Sequence, residues 1–311
     1  MDALETRELR YFVTVAEELH FSRAAERLGM AQPPLSRAIQ QLERRLGVTL
    51  LERNRRGVTL TGAGQVLLDE ARAILDGTAA AVRRTRRAAT STNRLTLATK
   101  AGSNHELLQK LLNAHAAEPD AAEIEVLLCG MGDQARMLRD GRADAALMQR
   151  PFDALAGFDT EDLLTEQQVA ILPAGHPLAA RTSLTMADIS NVPDLPVARW
   201  PRQDGTYEPG PGPEIHDQSQ LAQLIALGHT LAVLCASSRS WLWNAHTAIP
   251  LTDAPHVTTV LAWPAHSRSR AVAGLVRTAA QLLLVHHSPS PAPRSAPRRP
   301  AAAADRQVGD G

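Results

Sequence analysis

The sequence predicts a chain of two parts, a mainly α N-terminal unit and a larger α/β domain, joined by one long helix. Three observations support this fold class. Short amphipathic segments of helical periodicity fill residues 4–61. Apolar residues in steps of three and four continue through 62–91, and β-prone runs alternate with helical patterns over 92–287. A chain of 311 residues is also long for a single core, which favours two or three packed units.

The composition limits the partners that the chain can have. Its formal net charge is zero, so any contact with a nucleic acid has to come from a local basic patch. The charged N-terminus lacks the apolar core of a signal peptide and no apolar run is long enough to span a membrane, which leads us to expect a cytoplasmic protein. With only two cysteines, Cys129 and Cys235, we expect neither a disulfide framework nor a metal site, and no cofactor.

Residues 21–47 contain two short amphipathic helices joined by a tight turn. Ser22 is predicted to cap the first helix, and Gly29 to end it. Pro33 and Pro34 open the second helix, where their missing amides cost nothing. The apolar residues of the second helix that are predicted to face a core are Leu35, Ala38, Ile39, Leu42 and Leu46.

The opposite face of the second helix is polar and contains no carboxylate. It carries Pro33, Ser36, Arg37, Gln40 and Arg44. Hydroxyl, guanidinium and amide groups are those that reach phosphates and base edges in a major groove. The alternative is an ordinary surface helix with some arginines. The pairing of two short helices across a glycine turn favours a helix-turn-helix.

Residues 4 to about 62 resemble the N-terminal winged helix-turn-helix of the LysR-type transcriptional regulators. The matching segment reads ELRYFVTVAEELHFSRAAERLGMAQPPLSRAIQQLERRLGVTLLERNRRGVTLTGAG. The resemblance implies that the chain binds double-stranded DNA at a dyad-symmetric operator. The candidate DNA-binding residues of the two helices are Ser22, Arg23, Gln32, Pro33, Ser36, Arg37 and Gln40.

The segment after Gly47 predicts a wing. VTLLERNRRGVTLT contains two β-prone runs around a charged tip, where Gly57 allows the chain to reverse. Arg53, Arg55 and Arg56 crowd this tip and would contact phosphates or a minor groove. The alternative is a solvated hairpin tip without a function.

Thr61 is expected to cap the long helix that follows. Its apolar seam has heptad spacing and consists of Leu68, Ala71, Leu75, Thr78 and Val82. Such a seam needs a partner, and the resemblance implies a second copy of the chain, in a dimer or a tetramer. The alternative is a lone amphipathic helix that docks on its own domain.

The second part of the chain predicts an α/β effector-binding domain of periplasmic-binding-protein type over 92–287, with two subdomains. Alternation of strands with helices indicates βαβ units and a mostly parallel sheet. We expect one subdomain to contain 92–165 with 266–287, and the other to contain 166–265. The tail, 288–311, is rich in Pro and Ala and is expected to be disordered.

Ligands of open α/β sheets bind beyond the carboxyl ends of the strands, and the resemblance implies an effector cleft there, between the subdomains. Lys100, next to a free helix N-terminus, would attract an anion. A structural turn is the alternative at every candidate position. These candidates are Thr99, Lys100, Ser103, Gly130, Met131, Met148, Gln149 and Arg199.

The sequence departs from the family between Arg199 and Glu214. The segment PRQDGTYEPGPGP stands where many relatives carry a helix that helps to close the effector site. We therefore expect a shallower cleft or an unusual class of ligand. Cys129 and Cys235 follow strands in different subdomains, and we interpret them as buried inert thiols rather than as a redox switch.

Enzyme motifs are missing from the sequence, which has no GxSxG elbow, no HExxH and no glycine-rich phosphate loop, so no enzyme is expected. Two hypotheses remain. The first is a sequence-specific transcriptional regulator that senses a small-molecule effector of unknown identity and can also contact RNA polymerase. The second is a constitutive DNA-binding factor whose C-terminal domain serves assembly only. A solute-binding protein with a fused head is disfavoured because no signal peptide is present.

Overall fold

The computed structural model describes residues 4–54, 57–89, 93–102, 104–202 and 206–286. Its α-helices are α1 Thr6–Glu18, α2 Phe21–Arg27, α3 Gln32–Leu46, α4 Gly62–Ala89, α5 His105–Ala116, α6 Asp133–Arg139, α7 Met186–Ser190, α8 Gln218–Ala226 and α9 Arg270–His286. Its strands are β1 Leu51–Asn54, β2 Gly57–Leu60, β3 Arg94–Lys100, β4 Glu123–Cys129, β5 Ala145–Arg150, β6 Phe158–Glu166, β7 Gln168–Pro173, β8 Ala232–Cys235, β9 His246–Pro250 and β10 Val257–Pro264. Within these residues no helix is both long enough and apolar enough to cross a membrane.

Helices α1 to α3 pack around one apolar core, as a helix-turn-helix requires. The predicted cap of α2 is wrong, because the Nδ1 of His20, not Ser22, accepts the Arg23 amide at 3.4 Å. Because Phe21 packs in the core, α2 begins at Phe21, and Ser22 lies inside its first turn. Leu46 was also predicted to face the core, but it is the last residue of α3, lies outside the core cluster and is 38% exposed.

Helix α4 follows the β1–β2 hairpin and begins as predicted, since Thr61 Oγ1 accepts the Gly64 amide at 2.9 Å. Leu68 and Ala71 are buried, and α4 contacts α1 of the same chain. Val82, at the other end of the predicted heptad seam, is 46% exposed. The first half of the seam therefore packs within the chain, and its last residue is exposed in the single chain.

The first subdomain is built on a five-stranded sheet of order β4-β3-β5-β10-β6. β3 runs parallel to β4 and β5, whereas β10 is antiparallel to β5 and β6. The sheet is thus mixed, which corrects the prediction of a mostly parallel sheet. The limit 166–265 for the second subdomain is also wrong, because β10 fills the gap between β5 and β6 and belongs to the first.

The second subdomain is built on a three-stranded antiparallel sheet of order β8-β7-β9. The chain enters it from β6 into β7 and leaves it from β9 into β10, so two strand connections join the subdomains. Beside this sheet, the chain forms isolated bridges from Val197 to Leu231 and from Arg199 to Glu214. The predicted disordered tail, 288–311, lies outside the described residues.

Candidate functional site

The polar face of α3 points away from the core. Leu35, Ile39 and Leu42 are buried on one side of the helix, which directs Arg37 and Gln40 into solvent on the other. Pro33 is also exposed, and Gln32 and Ser36 are half-buried at the edge of this face. In the part of the chain that the structure describes, Arg37 forms no ion pair. Its guanidinium is therefore available to a phosphate or a base edge.

Two residues that the sequence analysis missed hold α3 in place. Arg45 forms an ion pair with Glu8 of α1, with side chains only 19% and 15% exposed. Burial opposes ionisation of Glu8, but the hydrogen bonds from Arg45 and from the Glu5 amide, together with the positive charges of Arg45 and Arg7, outweigh it and lower the pKa of this carboxyl. Glu43 Oε1 accepts the amides of Leu50 at 2.8 Å and Leu51 at 3.1 Å. Glu43 is the single acid in α3, a signal that could have marked it as structural.

The remaining DNA-binding candidates differ in their surroundings. Ser22 and Arg23 are exposed on α2, but Arg23 is anchored to Glu18, donating to its backbone oxygen at 2.5 Å and pairing with its carboxylate at 3.5 Å. Arg53 lies in β1, where it is paired in register with Val58 of β2. Arg55 and Arg56 lie outside the described residues.

A cavity of about 530 Å³ lies between the two subdomains and is lined by residues from both. Of the effector-binding candidates, it brings together Lys100, Gly130, Met131 and Gln149. Its volume falls in the usual range of small-molecule sites, about 300–1,000 Å³. Gly102 on its rim has a φ of +73°, in the left-handed region that favours glycine, and lies against the side chain of Gln218 from α8.

Three other candidates do not line the cavity. Thr99 and Met148 are each 1% exposed and lie in strands beside residues that do line it, since neighbouring side chains of a strand point to opposite faces. Arg199 instead holds its own loop, donating to the backbone oxygens of Gly212 and Glu208, each at 2.6 Å. The cavity therefore does not bring these three together with the other candidates, and their contact with an effector stays a prediction. Ser103 lies outside the described residues.

Lys100 is the buried charge at the floor of the cavity, and its partner was missed. Its Nζ lies 3.1 Å from Asp153 Oδ2 and 3.2 Å from Gln149 Oε1. Both charged side chains are only 7% exposed. Asp153 Oδ2 also accepts the Gln149 amide at 2.7 Å. Because the two charged residues are distant in sequence, no local pattern marks them as a pair.

Both cysteines line the same cavity, although they come from different subdomains. Gln149 Nε2 donates to Cys235 Sγ at 3.3 Å, and Cys129 Sγ donates to the Thr99 oxygen at 3.4 Å. Burial raises the pKa of Cys129 to about 11 and that of Cys235 to about 12. Thiols with such pKa values carry very little thiolate at neutral pH, which agrees with the interpretation of inert thiols.

The glycine- and proline-rich segment forms a wall of the cavity in place of a helix. Trp200, Pro201 and Arg202 line the cavity at its start and Glu208 lines it further on. The segment folds back through a bridge between Pro201 and Tyr207. A shortened segment therefore still encloses the second subdomain's half of the site.

Helix α6 connects the cavity with α4, the linker helix between the helix-turn-helix and the α/β domain. Gly132, immediately before α6, lines the cavity. At the other end of α6, the Asp140 backbone oxygen accepts a hydrogen bond from Arg83 Nε of α4 at 2.8 Å. Gly141, which follows Asp140, packs directly on Ala80 of α4. The cavity and the linker helix thus lie at opposite ends of one short helix, α6.

Comparison with protein families agrees with this architecture. The family model described as a bacterial regulatory helix-turn-helix protein of the lysR family matches residues 6–65, and the LysR substrate binding domain matches residues 88–283. The chain belongs to the LysR family. The two matched ranges agree with the observed elements: the first contains α1 to β2, and the second contains the strands of both α/β subdomains.

Several named relatives of this LysR-family chain are transcriptional regulators rather than enzymes. BudR of Raoultella terrigena is 31% identical over 290 residues, covering 86% of this chain and 98% of BudR. AlsR of Bacillus subtilis is 35% identical over 64% of this chain, and HcaR of Escherichia coli is 37% identical over 61%. The last two matches span 66% of AlsR and 64% of HcaR, less than two thirds of each relative.

Solved structures of the family share the fold. Full-length BenM superposes with a TM-score of 0.51 at 27% identity, covering 93% of this chain and 99% of BenM. CbnR, a LysR family transcriptional regulator, gives a TM-score of 0.57 at 22% identity, covering 90% of this chain and 99% of CbnR. At the lower identity of CbnR the similarity concerns the fold alone.

Proposed function

We propose that this LysR-family chain is a sequence-specific DNA-binding transcriptional regulator whose α/β domain binds a small-molecule effector. The observation that carries the proposal is the acid-free, exposed face of α3, held rigidly by the Arg45–Glu8 pair and by Glu43. Ser36, Arg37 and Gln40 would contact base edges and phosphates in the major groove. Because its partner would be chromosomal DNA, the protein would act in the cytoplasm, where a DNA-bound regulator can also contact RNA polymerase.

We assign the wing and the linker helix supporting roles. Arg53, Arg55 and Arg56 would anchor the wing to phosphates. Val66, Ile74 and Val82 of α4 are 65%, 43% and 46% exposed, so three apolar side chains of this helix face solvent in the single chain. Burial of these side chains against a second copy would pair two recognition helices on a dyad-symmetric operator.

The effector would act through α6. A ligand in the cavity contacts the Gly130–Gly132 turn at the start of this helix, while Asp140 and Gly141 at its end contact α4. A ligand shifts the equilibrium between two poses only if it binds one of them more tightly. The expected response is a change in the spacing of the two DNA-binding heads.

The contacts that already cross the cavity favour a second candidate, a constitutive DNA-binding factor. The hydrogen bond from Gln149 to Cys235 and the close approach of Gln218 to Gly102 join the two subdomains without a ligand. In this alternative the α/β domain serves assembly only. Thermal stabilisation by a small molecule that enters the cavity would argue against it.

The first experiment is a footprint of the full-length protein on the intergenic DNA upstream of its own gene, across a salt series and with competitor DNA. The proposal expects protection of a dyad-symmetric site that survives an excess of competitor. Binding that disappears with competitor would show charge-driven association only and would overturn the proposal of a sequence-specific regulator.

A further inference from the structure

The cavity between the subdomains is walled mainly by apolar side chains. Trp200 lies on one side and Leu221 and Leu234 line the second subdomain's wall. Phe152 and Met131 contribute from the first subdomain and remain 55% and 38% exposed, so their apolar surfaces are not covered by the protein itself. Burial of such surface against a ligand is favourable at about 25 cal/mol per Å².

The two cations that line the cavity each have a carboxylate partner in the chain. Lys100 is paired with Asp153 at 3.1 Å, away from solvent. Arg202 is paired with Glu208. With Asp217, the described lining contains three carboxylates and two cations. An anionic ligand would meet a site whose formal charge is already negative.

The N-terminus of α8, at the cavity, is likewise occupied by a carboxylate of the chain. Asp217 Oδ1 accepts the Gln220 amide there at 2.9 Å. A carboxylate at a helix N-terminus takes the place that an anionic ligand would use.

We infer that the cavity binds an uncharged, mainly apolar ligand and discriminates against carboxylates. This inference rests on the proposed function, because it names the chemical class of the effector of that regulator. A ligand carboxylate could form an ion pair with Lys100 only by displacing Asp153. That displacement would leave the Asp153 carboxylate buried without its cation. An uncharged apolar ligand leaves the pair intact and covers Trp200, Phe152 and Met131.

The test uses two fluorescent dyes with the same ring system, uncharged phenylnaphthylamine and anionic anilinonaphthalenesulfonate, titrated against the full-length protein. We expect saturable binding of the uncharged dye at least about tenfold tighter than that of the sulfonate, a difference of about 1.4 kcal/mol. Met131→Trp should block the uncharged dye. Met186→Trp is the matched control, since Met186 is also 38% exposed but does not line the cavity.

A charge variant tests the cause of the selectivity. Asp153→Asn keeps the shape and an acceptor oxygen but frees Lys100, and should tighten binding of the sulfonate about tenfold relative to binding of the uncharged dye. Asp162→Asn is the control, because it removes one carboxylate from the exposed pair with Arg150 outside the cavity. Circular dichroism establishes that each variant is folded, and the comparison of the two dyes on the unaltered protein does not depend on any variant.

Three results would overturn the inference: no saturable binding of the uncharged dye, binding of it that survives Met131→Trp, or sulfonate binding to the unaltered protein as tight as that of the uncharged dye. None of these measurements contains DNA. Failure of the proposed regulator function would appear in the footprint instead, so the two failures are distinguishable.

Discussion

Gly141 packs so closely on Ala80 of the linker helix that a side chain would overlap it: a Cβ on Gly141 would lie 2.8 Å from Ala80 Cα and 2.9 Å from Ala80 Cβ. Gly141 also has a φ of +73°, in the left-handed region that favours glycine. Beside it, Arg83 binds the Asp140 backbone oxygen. The junction between the α/β domain and α4 therefore has no room for a side chain, which makes it a sensitive point for communication between the domains.

Gly141→Ala should destabilise the protein by more than the cost of placing alanine at a positive φ. We expect the free energy of unfolding to fall by about 1–3 kcal/mol, from the strained φ and the overlap with Ala80 together. Gly228→Ala is the matched control, because Gly228 has a φ of +78° but open space around it. Denaturant titration measures both variants, and equal losses would show that the contact with Ala80 contributes nothing.

Arg37→Ala should weaken binding to the cognate operator by about 1–3 kcal/mol and binding to random DNA by less, because its free guanidinium would contact a base edge. Arg181→Ala, an exposed arginine of the second subdomain, should change neither. Competition binding with labelled operator and random duplexes measures the two losses. A loss of the same size on both duplexes would show that Arg37 contacts phosphate only.

Asp153→Ala should be strongly destabilising, since it leaves the Lys100 ammonium buried without a partner. We expect a loss of about 3 kcal/mol, the usual cost of breaking a buried ion pair. Adding Lys100→Met should restore much of the stability. Asp162→Ala, which breaks an exposed pair with Arg150, should cost less than about 1 kcal/mol. Chemical denaturation of the three variants and of the unaltered protein tests this, and a small effect of Asp153→Ala would contradict it.

His115 should make stability depend on pH. It is 3% exposed, its Nδ1 shares a hydrogen bond with Thr278 at 3.3 Å, and burial lowers the pKa of the ring below its ordinary value of 6.5. The folded state thus favours the neutral ring. This contribution is fully present above about pH 6.5 and is lost as the pH falls from there towards the lower folded pKa.

His115→Leu should flatten this part of the pH profile without leaving a buried hydroxyl unpaired, because Thr278 still donates to the Gly274 oxygen. His229→Gln, at an exposed position, is the control. Unfolding free energies between about pH 5 and 7 give the slopes. An unchanged slope for His115→Leu would refute the assignment.

The local elements could be predicted because their signals are local. The cap at Thr61 was predicted correctly, since capping acts within one helical turn. The error at Ser22 arose because packing of Phe21 in the core sets where α2 begins, and the error at Leu46 arose because helical periodicity does not indicate where along a helix its contact with the core ends. The LysR family and its two-subdomain architecture are confirmed, whereas the individual DNA-contacting residues stay predictions.

The sequence by itself determined that an acid-free helix face follows a glycine turn and that strands alternate with helices, because these are properties of neighbouring residues. Only the tertiary structure decided that β10 joins the first sheet, that Cys129 and Cys235 share one cavity, and that Asp153 neutralises Lys100. Each of these depends on pairing between distant segments. Strand order and buried charge compensation are set by the packing of the whole domain, which local periodicity does not encode.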